Sequence, residues 1–127
     1  MPASTIRGLI AEQIKLDNAA YIVHNFPTSA PDNLVTGKVY VNVYRERLIN
    51  ESATATVGQD LKCIVIVAKA GTEVAEDELE DALYEVLVSI NSVANVDWTD
   101  AERAIISEKY IGYEITLQAH TKNIFKS

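Results

Sequence analysis

From Leu79 to Val93 the apolar residues Leu79, Ala82, Leu83, Val86, Leu87, Ile90 and Val93 recur at i, i+3, i+4 and i+7. A period of 3.6 residues places them all on one side of a helix, and that side must be covered. A little earlier, Leu61 to Ala68 is apolar at nearly every position, as in a central strand buried on both faces. A helix that needs an apolar platform and a strand that needs two apolar covers constrain each other. Together they predict a sheet with helix packed on it. The chain has 127 residues, 48% of them hydrophobic, which suits one core and one domain spanning 1–127.

The remaining elements follow from local pattern. Ser4 is placed to cap a first helix, in which Ile6, Leu9, Ile10 and Ile14 recur at helical spacing and define a buried stripe. That helix fades near Asp17 and Asn18. Tyr21 to Phe26 reads as a short strand ended by Pro27, and the Pro-, Ser- and Asn-containing stretch to Asn33 reads as a loop. Lys38 to Arg47 alternates, with Val39, Val41 and Val43 on one side and Tyr40, Asn42 and Tyr44 on the other. The stretch Asn50 to Gln59 is rich in Ser, Thr, Ala and Gly, and an extended hairpin arm or mobile loop is expected near 48–60. Thr72 is placed to cap the second helix, whose early acids favour the positive end of its dipole and which is expected to end near Ala94 and Asn95. Two last strands are expected at Ala101 to Lys109 and Gly112 to Thr121. In the second of these Tyr113, Ile115, Leu117 and Ala119 face the core, while Glu114, Thr116, Gln118 and His120 face away. The order α-β-β-β-α-β-β predicts an α+β domain. Its sheet is mainly antiparallel, of four to five strands, with both helices packed on one face.

Residues that carry chemistry are scarce. His24 and His120 have no Cys or second His at metal-ligand spacing, and zinc needs three or four converging ligands. Cys63 is the only cysteine and lies in an apolar strand, where burial raises a thiol's pKa and silences it. Neither GxxxxGK[ST], GxGxxG nor GxSxG occurs. Asp77, Asp81 and Glu85 repeat every four residues along one exposed helix stripe, without the desolvated pocket that acid–base catalysis uses to separate carboxylate pKa values. The reading is a non-enzyme with no catalytic residue, no metal ligand and no cofactor. A net charge of −7, with no Lys or Arg between Lys69 and Arg103, argues against a nucleic-acid-binding surface. No apolar run reaches the ~20 residues of a membrane span. The N-terminus runs straight into an amphipathic pattern rather than a signal peptide, so no membrane partner and a reducing cytoplasm are expected. In that setting the glycosylation sequon at Asn50-Glu51-Ser52 is a chance match.

What stands out is surface. Rotating 100° per residue from Leu79 puts Val88 directly opposite the core and Tyr84 only 40° away, an apolar pair on the acidic back of the helix. Such a pair anchors a contact when the charged residues around it act as a polar rim. A second candidate is the outer side of the Lys38 strand, with Tyr40 and Tyr44 and, just beyond, Arg45 and Arg47. The arm adds Glu51 and Thr54.

The run Val96-Asp97-Trp98-Thr99-Asp100-Ala101-Glu102-Arg103, continuing to Tyr110-Ile111-Gly112-Tyr113-Glu114-Ile115, resembles the closing strands of tail-terminator proteins of long-tailed bacteriophages. The helix entering at Ile6-Arg7-Gly8-Leu9-Ile10 is similar to theirs. So is the one opened by Glu76-Asp77-Glu78-Leu79 and continued through Ala82-Leu83 to Val86-Leu87. The likeness in element order spans essentially the whole chain. It implies a homo-oligomer, a hexameric ring that caps the tail-tube protein, stops its polymerisation and presents a surface to the head-side connector protein. DNA then passes through the channel without specific binding. It also implies a place at the neck end of the virion tail after assembly in the host cytoplasm. Another neck or head-closure subunit and a small cellular binding module remain as alternatives.

Overall fold

The computed structural model describes residues 5–24, 38–50, 56–68, 73–107 and 110–122, with the backbone alone described at 47–50, 56, 57, 105–107 and 120–122. The elements are α1 (Ile6–Asp17), β1 (Ile22–His24), β2 (Val39–Asn50), β3 (Thr56–Ala68), α2 (Glu73–Asn91), β4 (Val96–Ser107) and β5 (Tyr110–Lys122). They form one five-stranded sheet in the order β1-β2-β3-β5-β4. Only β1 and β2 run parallel; the other pairs are antiparallel. The α+β class, the element order and the mainly antiparallel sheet are as the sequence predicts.

Both helices cover the same face. Ile10 and Ile14 of α1 and Leu79, Ala82, Val86 and Ile90 of α2 pack on Val41, Val43, Leu61, Cys63, Val65, Val67, Ile115 and Leu117. Strand β3 lies at the centre, so its alternate residues are buried on the far side too. There Ile66 and Ala68 join Tyr40 and Tyr110 in a second, smaller cluster. That is why Leu61 to Ala68 shows no polar alternation.

Several boundaries move for identifiable reasons. Thr5, rather than Ser4, caps α1, its Oγ1 accepting from the Gly8 amide at 3.1 Å. The face of α1 that packs holds Gly8, Ile10, Ala11 and Ile14, which leaves Leu9 exposed at 44% rather than in the core. Lys15 extends past the end of α1 and donates from Nζ to the Ala19 and Tyr21 carbonyls, at 2.7 and 2.6 Å, fixing the turn into β1. The segment from 48 to 60 is regular ladder wherever it is described. Leu48, Ile49 and Asn50 pair with Gln59, Gly58 and Val57, while β3 pairs on its other side with β5 as far as Thr56 and Lys122. Strands β2 and β3 thus continue as a hairpin through this segment, with β5 alongside β3, and Glu51 and Thr54 lie outside the described residues, as do Phe26 and Thr72. Strand β4 begins at Val96, five residues before expectation. Asn95 takes a left-handed conformation, φ 64°, which Asn tolerates better than most residues, and turns the chain directly from α2 into the sheet.

Candidate interaction surfaces

The outer face of α2 is set by what its inner face must bury. With Leu79, Val86 and Ile90 fully buried, Tyr84 and Val88 point away from the sheet at 67% and 48% exposure. Val74, 64% exposed, lies two heptads before Val88 and so only about 40° from it around the helix, a third apolar residue on this face. Asp77, Asp81 and Glu85 are exposed between and beside them, as the four-residue spacing requires.

This face is held on both flanks. Arg103 of β4 makes a two-pronged ion pair with Glu76, its Nη1 at 2.6 Å from Oε2 and its Nη2 on Oε1. The guanidinium holds the Glu76 carboxyl below its ordinary value, and its own pKa rises in return. On the other flank the Ser89 hydroxyl donates to Asp17 Oδ2 at 2.7 Å. Gln13 Nε2 donates to both Asp17 oxygens at 3.0 Å, and these bonds, Gln13's first, lower the Asp17 pKa. Tyr21 lies alongside α2; burial, then the charges of Glu85 and Asp81, push its phenol up.

The strand surface is not one patch. Tyr40 is 3% exposed, in the second cluster, with its ring 5.4 Å from that of His24. It is therefore excluded as a free contact residue in the isolated chain. Tyr44 stands opposite Lys62, and Arg45 opposite Leu61. Directly paired residues share a face, so Tyr44 lies on the side away from the helices. Arg45 lies on the helix side, exposed beyond the core. A bulge between Arg45 and Arg47 shifts the register there. Arg47 pairs with Asp60, the row neighbouring Arg45, and its side chain is not described.

Lys62 anchors the polar half of the open sheet face. Its Nζ lies 3.0 Å from Thr116 Oγ1 and 3.0 Å from Glu114 Oε1, and the bond to Glu114 raises its pKa. Burial, with Glu114 and Glu46 next, raises the Tyr44 pKa. Around this one lysine the open face carries Asp60, Asp97, Asp100 and Glu102 along the β3, β4 and β5 rows.

Cys63 is fully buried, and desolvation pushes its thiol up to about 12. Among the described residues no three His, Cys, Asp or Glu side chains are grouped to hold a metal. No helix among them is long and apolar enough to cross a membrane. Sequence reasoning missed Trp98, 40% exposed on β4, and Leu16, exposed on α1. Seven residues separate Leu16 from Leu9, a spacing that puts both on one flank of α1 and was legible, had Leu9 not been assigned to the core.

The fold is a two-layer α+β domain that leaves large apolar side chains exposed outside the core. No protein-family model matches the chain. No curated protein matches it either.

Proposed function

We propose that this protein is a structural subunit of a long-tailed phage that forms a ring on the end of the tail tube. The ring stops tube polymerisation and gives the head-side connector a surface to join, while DNA passes through without specific binding. The observation that carries this reading is the apolar pair Tyr84 and Val88, left exposed among carboxylates on the outer face of α2. Large exposed side chains rimmed by charge are a recurrent form of protein contact site. The α-β-β-β-α-β-β order agrees with the resemblance of the two helices and the closing strands to tail-terminator proteins. The excess of acid over base suits a channel that must not hold phosphate.

The test is electron microscopy of the protein mixed with purified tail tubes, with tube lengths scored during polymerisation in its presence and absence. The expected result is a ring at one tube end and arrested growth. Tubes that grow to the same lengths and carry no added density overturn the proposal.

A further inference from the structure

Two strand edges of this sheet are unpaired among the described strands. One is the outer side of β4 along its whole length, since β4 pairs only with β5. The other is the outer side of β2 from Val43 to Asn50, because β1 pairs with β2 only at Tyr40, Val41 and Asn42. Open edges of this length are templates for further pairing, and isolated domains usually shorten or cover them.

The register sets which residues of the two edges lie level. Arg47 pairs with Asp60, Asp60 with Gln118, and Gln118 with Asp97. Arg45, Leu61, Leu117 and Trp98 form the next row, and Tyr44, Lys62, Thr116 and Asp100 the one after. One edge therefore presents Arg47 and Arg45 at the rows where the other presents Asp97 and Trp98, and Tyr44 at the row of Asp100. The strand directions agree as well. Across β2-β3-β5-β4 every step is antiparallel, so β4 runs opposite to β2 and an added copy continues the antiparallel ladder.

We infer that β4 of one copy adds to the free segment of β2 in the next copy, so that the sheets join head to tail. This deepens the ring reading above and rests on it for the meaning of the closed assembly. In that arrangement Arg47 meets Asp97, and Arg45 meets Trp98, whose indole face attracts a guanidinium. Pairing β4 with β4 about a two-fold axis instead sets the segment from Asp97 to Glu102 against the same acidic segment of the other copy, and pairing β2 with β2 about Glu46 opposes Arg45 and Arg47. Like charges directly across a ladder are destabilising, so the charge pattern selects the heterologous contact. A heterologous contact that closes on itself makes a ring.

The test measures mass by light scattering across concentration for the parent, Arg47→Asp, Asp97→Arg and the combined reversal. Each single reversal is expected to raise the half-assembly concentration about ten-fold or more, and the combination to return it close to the parent. In parallel, Arg47→Cys and Asp97→Cys chains, both carrying Cys63→Val, are mixed and oxidised. Disulfide is expected only between unlike chains, with circular dichroism confirming that each variant is folded. Links between like chains, or reversals that leave the mass unchanged, overturn the edge pairing. If a ring persists through those results, it closes elsewhere and the capping proposal stands. A parent that is monomeric throughout also overturns the pairing, and tail-end binding then judges capping alone.

Discussion

Replacing Tyr84 and Val88 together with Ser separates a contact role from a folding role. Of the roughly 200 Å² an aromatic side chain can bury, Tyr84, being 67% exposed, has about 130 Å² still to cover, near 3 kcal/mol at ~25 cal/mol per Å². Val88, 48% exposed, adds about 1 kcal/mol on the same basis. Ordering costs at the interface take back part of this sum, leaving about 2–3 kcal/mol, or roughly 30- to 150-fold in affinity. Neither residue belongs to the core cluster, and Ser is close to Tyr and Val in helix propensity. The melting temperature is therefore expected to move by no more than about 2 °C, the scale of surface substitutions. The assay is co-sedimentation of labelled protein with purified tails over a concentration series, beside thermal melts of the same samples. A melt lowered by about 8 °C or more refutes the placement of the pair on the outer face. Tail binding unchanged within about three-fold refutes the contact role.

Other consequences of the structure are testable without tails. A methyl group on Gly112 would lie 2.4 Å from the Val65 carbonyl oxygen, between the two central strands, so Gly112→Ala is expected to destabilise by about 1–3 kcal/mol in urea melts. Cys63, with its thiol near 12 and no exposure, is expected to react with a thiol reagent at pH 8 roughly a thousand-fold more slowly than in the urea-unfolded chain. For the ion pair between strand and helix, the Glu76 pKa is depressed on folding, so its contribution is present above the ordinary value of 4.5 and fades as pH falls through the lower folded value. Arg103→Gln is accordingly expected to lower stability at pH 7 and to converge with the parent in acid, read from urea midpoints at each pH.

The sequence was most legible where burial imposes a strict period. Helix α2 needed only its apolar spacing, and the exposure of Tyr84 and Val88 followed from the same rotation. The unbroken apolar run of β3 located the sheet centre. It was least legible at sheet margins. Strand β4 hides its beginning because a register shift between Trp98 and Asp100 breaks the two-residue alternation, and an edge strand tolerates the acids that flank it. The 48–60 segment reads as a hairpin or loop but not as part of the main sheet, because it is short of apolar residues. Backbone pairing on both sides of β3 makes it sheet nonetheless, and ladder hydrogen bonds leave little trace in composition. Tyr40 misled for another reason: alternation places it on the face away from the helices, and nothing in the alternation says that this face has a cluster of its own.

The charge pattern also decides between the two ways of using the surfaces. If α2 met its own copy about a two-fold axis, Tyr84 and Val88 would be covered, but Asp77, Asp81 and Glu85 of both chains would be drawn into one desolvated seam. No Lys or Arg lies between Lys69 and Arg103, and the Arg103 guanidinium is already engaged by Glu76, so the helix brings no counter-charge of its own. Burying like charges without partners costs more than the apolar pair returns. The α2 face is therefore suited to a different protein, one that supplies neutral or basic groups around an apolar socket. In the edge pairing inferred above, contact between copies falls instead to the strands, where Arg45 and Arg47 of β2 and Asp97 and Asp100 of β4 sit on opposite sides of the same sheet and each copy carries both halves of the match.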